Sequence, residues 1–123
     1  MKLERLVGPH NIILDFDYIG NDIRVLIYGG DQHHIGGVAI AYPTKSHYRD
    51  AITISVSTLT LPGHKDYIVA NSAAEKIAKA LEQTCVVLVG IHVDNASSQE
   101  ITAIIEAVDD MVNEVILYNQ KGE

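Results

Sequence analysis

The sequence predicts an α+β fold, a mainly antiparallel sheet of about five to six strands covered on one face by two helices. Three observations carry this. Apolar residues alternate with period two through the first half of the chain. After Pro62 the period becomes helical. A valine-rich run from Cys85 to Val93, bounded by turn residues, separates two helical stretches and is too brief to be a helix itself.

Ile12, Leu14, Phe16 and Tyr18 share one face of the first predicted strand, with Asp15 and Asp17 on the other. Gly20 and Asn21 supply a tight turn, after which Ile23, Val25 and Ile27 resume the alternation, so the two segments form an antiparallel hairpin. A loop of glycines and histidines follows. Val38, Ile40 and Tyr42 are the apolar set of a third strand, ended by an exposed polar turn, PTKSHYRD. In the fourth, Ile52, Ile54 and Val56 oppose Leu59 and Leu61 in parity, which predicts a bulge near Ser57 and Thr58. Ala70, Ala73, Ala74, Ile77 and Leu81 then form a stripe, giving a helix over about 66–83. The Cys85 run is a buried fifth strand, central in the sheet. Ser97 and Glu100 fit a capping box, and Ile101, Ile104, Ile105, Val108, Met111, Val112 and Val115 continue a second helix to about Tyr118. With no repeat, linker or low-complexity segment, residues 1–123 make one domain.

Composition narrows the function classes. Nine basic against sixteen acidic residues give a net charge of −7, which disfavours nucleic acid and anionic membranes as partners. One cysteine, Cys85, allows no intrachain disulfide and no thiolate cluster for zinc, as suits a reducing cytoplasm. No run has the length of a signal peptide's apolar core or a membrane span, so a cytoplasmic location is expected.

Chemistry concentrates in three segments that pair glycine with histidine: GGDQHHIGGV at 29–38, GHKD at 63–66 and GIHV at 90–93. Glycine permits close backbone approach, and imidazole can donate, accept or bind metal near neutral pH. The glycines at 29, 30, 36 and 37 also serve as ordinary turn punctuation, and neither GxGxxG nor GxxxxGK[ST] is present. His64 and Lys65 precede the first helix, where its amides and dipole attract an anion such as phosphate; Asp66 suits the N-cap. The plainer reading is a capped helix with two solvated basic residues. His92, in an otherwise apolar strand beyond Gly90, must find a partner or face a cleft. His34, His64 and His92, with His33, Asp66 or Asp94 as a further ligand, also suit zinc, although no close ligand pair such as HExxH supports it. Nucleophilic catalysis lacks a GxSxG elbow, and Cys85 falls at a buried strand start.

These residues carry a resemblance. GGDQHHIGGV, then GHKD followed by a helix, then TCVVLVGIHV, in this order over roughly residues 11–110, resemble the LpdD-type proteins, small D subunits encoded with gallate decarboxylases. The resemblance rests on Gly29, Gly30, His34, Ile35 and Gly36, on His64, Lys65 and Asp66, and on Cys85, Gly90, Ile91, His92 and Val93. The chain departs from a family relative at His33, where proline stands, and at Gly37, where aspartate stands. The resemblance implies a homodimeric, non-catalytic carrier of reduced prenylated FMN that loads apo UbiD-type decarboxylases, on a fold similar to proteasome assembly chaperones. It implies a site of Gly29, Gly30, His34, Gly36, His64, Lys65, Asp66, Gly90 and His92. Lys65, His64 and the helix amides would hold the phosphate, and the strands would provide an apolar floor for the ring. A metal-dependent enzyme built on His34, His64 and His92, or an assembly module with structural histidines, are the alternatives.

Overall fold

In the computed structural model, which describes residues 1–45, 51–61 and 66–121, the elements run β1 (Lys2–Val7), β2 (His10–Ile19), β3 (Asp22–Gly30), β4 (Gln32–Lys45), β5 (Ile52–Thr60), α1 (Tyr67–Leu81), β6 (Cys85–His92) and α2 (Ser98–Lys121). The strands form one six-stranded sheet in the order β1-β2-β3-β6-β4-β5. Every pairing is antiparallel except β3 with β6. The Cys85 run is therefore central, inserted between β3 and β4.

The hairpin forms as its alternation requires. Ile19 pairs with Asp22 across Gly20 and Asn21, and Gly20 at φ +62° supplies the positive angle that a two-residue hairpin turn needs at its first position. Buried residues of the sheet share one face, under both helices. Across that face Phe16, Val25, Val87 and Ala39 lie on one line of paired residues. The side chains shrink toward β4, and α1 answers with Ala70, Ala73, Ala74 and Ala78 around Ile77. Small residues on both surfaces bring helix and strand close, and Ala39, Ala41 and Ile77 are fully buried.

Three expectations are corrected here. The buried set of β4 is Ala39 and Ala41, whereas Ile40 and Tyr42 are 41% and 39% exposed on the open face; α1 lies too near β4 to admit the larger chains. No bulge occurs at Ser57 and Thr58: β4 and β5 pair without interruption from Gly37↔Thr60 to Lys45↔Ile52. Ile54 and Val56 pack toward the core, and Leu59 lies on the open face, 72% exposed. The irregularity falls instead in β4, between His33 and Gly37, inside the segment read as a loop. Pro43, Thr44 and Lys45 of the expected polar turn continue β4.

β1 was not expected as a strand. It pairs with β2 from Lys2↔Asp15 to Val7↔His10. Leu3 and Val7 pack on the core, and Arg5 forms an ion pair with Glu114 of α2. The capping box is present: Glu100 N donates to Ser97 Oγ at 3.1 Å and Ser97 N donates to Glu100 Oε1 at 3.2 Å. α2 continues one turn past Tyr118, to Lys121.

Candidate functional site

The chain passes from β3 to β4 around the end of β6, which lies between them. Gly30 and Gln32 both pair with His92, and the Asp31 amide donates to the His92 carbonyl at 2.6 Å. So tight a crossing requires Gly30: its φ is +81°, and a Cβ there would strike the His92 carbonyl oxygen. The irregular stretch of β4 then rides over Gly90, where a Cβ would collide with the His34 carbonyl oxygen. Gly36 and Gly37 next press against the start of α1; a Cβ on Gly37 would lie 2.6 Å from the Tyr67 amide nitrogen.

The described members of all three motifs meet at this end of the sheet. His34 Nε2 is 3.3 Å from Asp66 Oδ2, with side chains 22% and 15% exposed. His92 Nε2 is 2.8 Å from Asp94 Oδ1. The two imidazoles lie edge to face with centroids 6.1 Å apart. A carboxylate on one nitrogen fixes an imidazole's orientation and favours the proton on that nitrogen, which defines what the ring offers to a ligand. Asp66 occupies the N-cap position of α1 as expected, but its side chain makes no cap hydrogen bond; the carboxylate turns to His34 instead. His33 packs edge-on against Tyr28, centroids 5.2 Å apart.

A second polar group escaped the sequence reading. His10 Nδ1 lies 3.4 Å from Asp31 Oδ1, and His10 Nε2 lies 3.7 Å from Glu100 Oε2. Asp31 Oδ2 also accepts from the Asp94 amide at 2.8 Å. This ties the start of β2, the β3 to β4 crossing and the entry to α2 into one knot beside the histidine pair. Its only sequence signal was Asp31 within the first glycine motif; His10 stood alone.

Beside the pair opens an apolar cleft of about 320 Å³ between the first turns of α1 and α2. Ile68, Val69, Ile91, Val93, Ile101, Ile104 and Ile105 line it, with Asp66 and His92 at the polar edge. The apolar walls thus come chiefly from the helices and the end of β6 rather than from the strands alone. Carboxylates crowd the polar end, and the basic residues expected for phosphate, His64 and Lys65, lie outside the described residues. Among the described residues no group of three His, Cys, Asp or Glu is placed to hold a metal ion. Cys85 sits at the opposite end of β6, fully buried, and burial pushes its thiol up to about 12, which suits an inert core residue.

A sequence model described as the prenylated flavin chaperone LpdD-like domain matches residues 7–120. Protein LpdD of Lactiplantibacillus plantarum is 27% identical over 111 residues, spanning 83% of this chain and 72% of that protein. Among solved structures, a chaperone complex for yeast 20S proteasome assembly superposes with a TM-score of 0.51 at 10% identity, over 90% of this chain and 96% of its own. At that identity the likeness speaks for the fold alone, and it agrees with the sheet and two helices described above.

Proposed function

The chain belongs to the prenylated flavin chaperone LpdD-like family, and from that premise we propose that it binds reduced prenylated FMN without turnover and delivers it to an apo UbiD-type aromatic acid decarboxylase. The observation that carries this reading is the apolar cleft whose polar edge is His92, held by Asp94, and Asp66, the carboxylate paired with the neighbouring His34. A reduced flavin offers a flat, largely apolar ring edged by polar atoms, and it needs apolar walls with a few fixed hydrogen-bonding groups. The cleft provides the walls. His34 and His92, each oriented by its own aspartate, provide the fixed groups.

In this reading the glycines act indirectly. Gly30, Gly36 and Gly90 let main chain, helix start and histidines approach one another, so they shape the site without touching the ligand. Gly29 does the same against the Asn11 carbonyl. The phosphate falls to Lys65 and His64, which precede Asp66 in sequence, together with first-turn amides of α1 that the Asp66 side chain leaves to other acceptors. With a protein charge of −7, local geometry rather than long-range attraction must hold the anion. We further place the protein in the cytoplasm as a homodimer, for which the half-exposed apolar open face, including Ile40, Tyr42 and Leu59, offers a surface; light scattering would give its mass in solution.

Anaerobic titration with reduced prenylated FMN, with reduced FMN and metal content measured in parallel, tests the proposal. Saturable binding of the prenylated form, and decarboxylase activity gained when apoenzyme meets the loaded protein, are the expected results. Lys65→Ala should weaken binding more than Lys79→Ala; equal losses would remove Lys65 from the site. No flavin binding, with a stoichiometric divalent metal found instead, would sink the carrier reading in favour of a metal enzyme using His34, His64 and His92.

A further inference from the structure

The cleft beside the histidines does not stop at the first turns of the helices. A second hollow of about 300 Å³ continues it along the seam between α1 and α2. Ile68, Val69 and Ile105 are walls of both. Each alone lies at the lower end of the range typical of small-molecule sites, roughly 300–1,000 Å³, and together they fall near its middle. The groove is polar at one end, at Asp66 and His92, and beyond them its buried lining is hydrocarbon, from Ala73, Val108 and Val112, with the exposed Ser72, Glu106 and Asp109 also on its walls. At Asp109, one of its walls, an ion pair crosses between the helices, Lys76 Nζ to Asp109 Oδ1 at 2.7 Å.

The aliphatic side chains here are unusually exposed for their size. Ile68, Ile101 and Ile105 are 54%, 49% and 47% accessible. Single exposed isoleucines need no explanation. These three lie on opposite walls of one groove and face an apolar occupant or water.

We infer that the far half of this groove recognises the prenyl-derived hydrocarbon ring of the carried flavin, and so sets the preference for the prenylated over the plain nucleotide. The inference rests on the carrier reading above and adds to it the part of the site that discriminates. The order of the groove matches the order of the ligand. Hydrogen-bonding edges meet the histidine end, while the added ring, the one feature that plain FMN lacks, has only carbon and hydrogen to offer and meets the apolar walls. Transfer of its carbon surface from water is the sole source of preference such a wall can supply. Specificity of this kind is modest per methylene, and a ring of several carbons brings it to tenfold or more.

The test is anaerobic equilibrium titration of the full-length protein with reduced prenylated FMN and with reduced FMN. It compares wild type with Ser72→Trp, which fills the groove from an exposed wall position, and Ile105→Ser, which removes an apolar wall at a half-exposed one. Leu117→Ser, at a half-exposed position of α2 outside the groove, is the control, and circular dichroism confirms that each variant is folded. Wild type should prefer the prenylated form at least tenfold. Both groove variants should cut that ratio of dissociation constants at least tenfold, and the control should leave it unmoved. A wild type that binds both flavins equally, or groove variants that keep the wild-type ratio, would overturn the inference and leave the carrier reading standing. Failure of wild type to bind either flavin would overturn both.

Discussion

The two ends of β6 are built on opposite principles. At the Cys85 end the strand is regular on both sides, paired with Ile23 of β3 and Ala41 of β4, and Cys85 and Val87 are fully buried beneath the helices. At the His92 end the chain crosses over the strand terminus, β4 loses register between His33 and Gly37, and glycines bring main chain against main chain. One end stores stability in filled volume. The other omits side chains so that four separate segments can place histidines and carboxylates together. The division teaches where function can be lodged in a small domain: at the end of a central strand, supported by a core that does not depend on it.

Substitutions should separate the ends cleanly. The largest effect belongs to the regular end. Ile77, fully buried over β4, should cost about 3 kcal/mol when changed to alanine, through lost transfer energy and a residual cavity. In urea denaturation the midpoint should fall while the remaining folded protein binds flavin as before. Gly90→Ala is the counterpart at the site end. Its Cβ would collide with main-chain atoms of His34, so the irregular stretch of β4 must shift, at a cost of about 2 kcal/mol. Here flavin affinity should fall together with stability. A Gly90→Ala protein that melts lower yet binds normally would show that the two ends are not divided as described.

Cys85 offers a third probe, specific to the buried end. Burial holds its thiol up at about 12 against an ordinary 9.0. Below pH 9 both folded and unfolded chains keep the proton, and stability is unaffected by this group. Between 9 and 12 the unfolded chain releases a proton that the folded chain retains, so stability falls as pH rises. The slope is at most about 1.4 kcal/mol per pH unit. Urea titrations at neutral pH and within that window should show it, and Cys85→Val should abolish it. At neutral pH a thiol reagent should label the wild type only on the timescale of unfolding.

The same contrast explains what could be read from the sequence. Regular packing writes itself as period: the β2–β3 hairpin, both helices and the central place of β6 follow from alternation, from helical stripes and from the apolar Cys85 run. The capping box follows from Ser97 and Glu100. β1 escaped because Lys2, Glu4 and Arg5 crowd a short edge strand whose inward residues, Leu3 and Val7, are only two. The parity change at Leu59 looked like a bulge, although an edge strand can simply expose a leucine. Conversely, the true irregularity lay among glycines that carry no hydrophobic period at all. Convergence of the three motifs was legible as a set of unusual residues, but the pairings were not. That His34 takes Asp66, and His10 takes Asp31 and Glu100, depends on β6 being inserted between β3 and β4, a long-range fact that no local pattern states.

The smallest expected effects compare the two helix starts that flank the cleft. Ser97 caps α2 through its hydroxyl and is answered by Glu100, so Ser97→Ala should cost about 1 kcal/mol of stability. Asp66 stands at the equivalent position of α1 but gives its carboxylate to His34 rather than to the helix amides. Asp66→Ala should therefore cost clearly less than the Ser97 change in a thermal melt, because no cap bond is lost. Its effect should emerge in binding, since His34 would lose the carboxylate that orients it. Asp66→Asn should recover part of the affinity by offering an amide oxygen to the same imidazole nitrogen. Should Asp66→Ala instead destabilise as much as Ser97→Ala with flavin affinity untouched, Asp66 would be an ordinary helix cap and the His34 pair would have no part in the site.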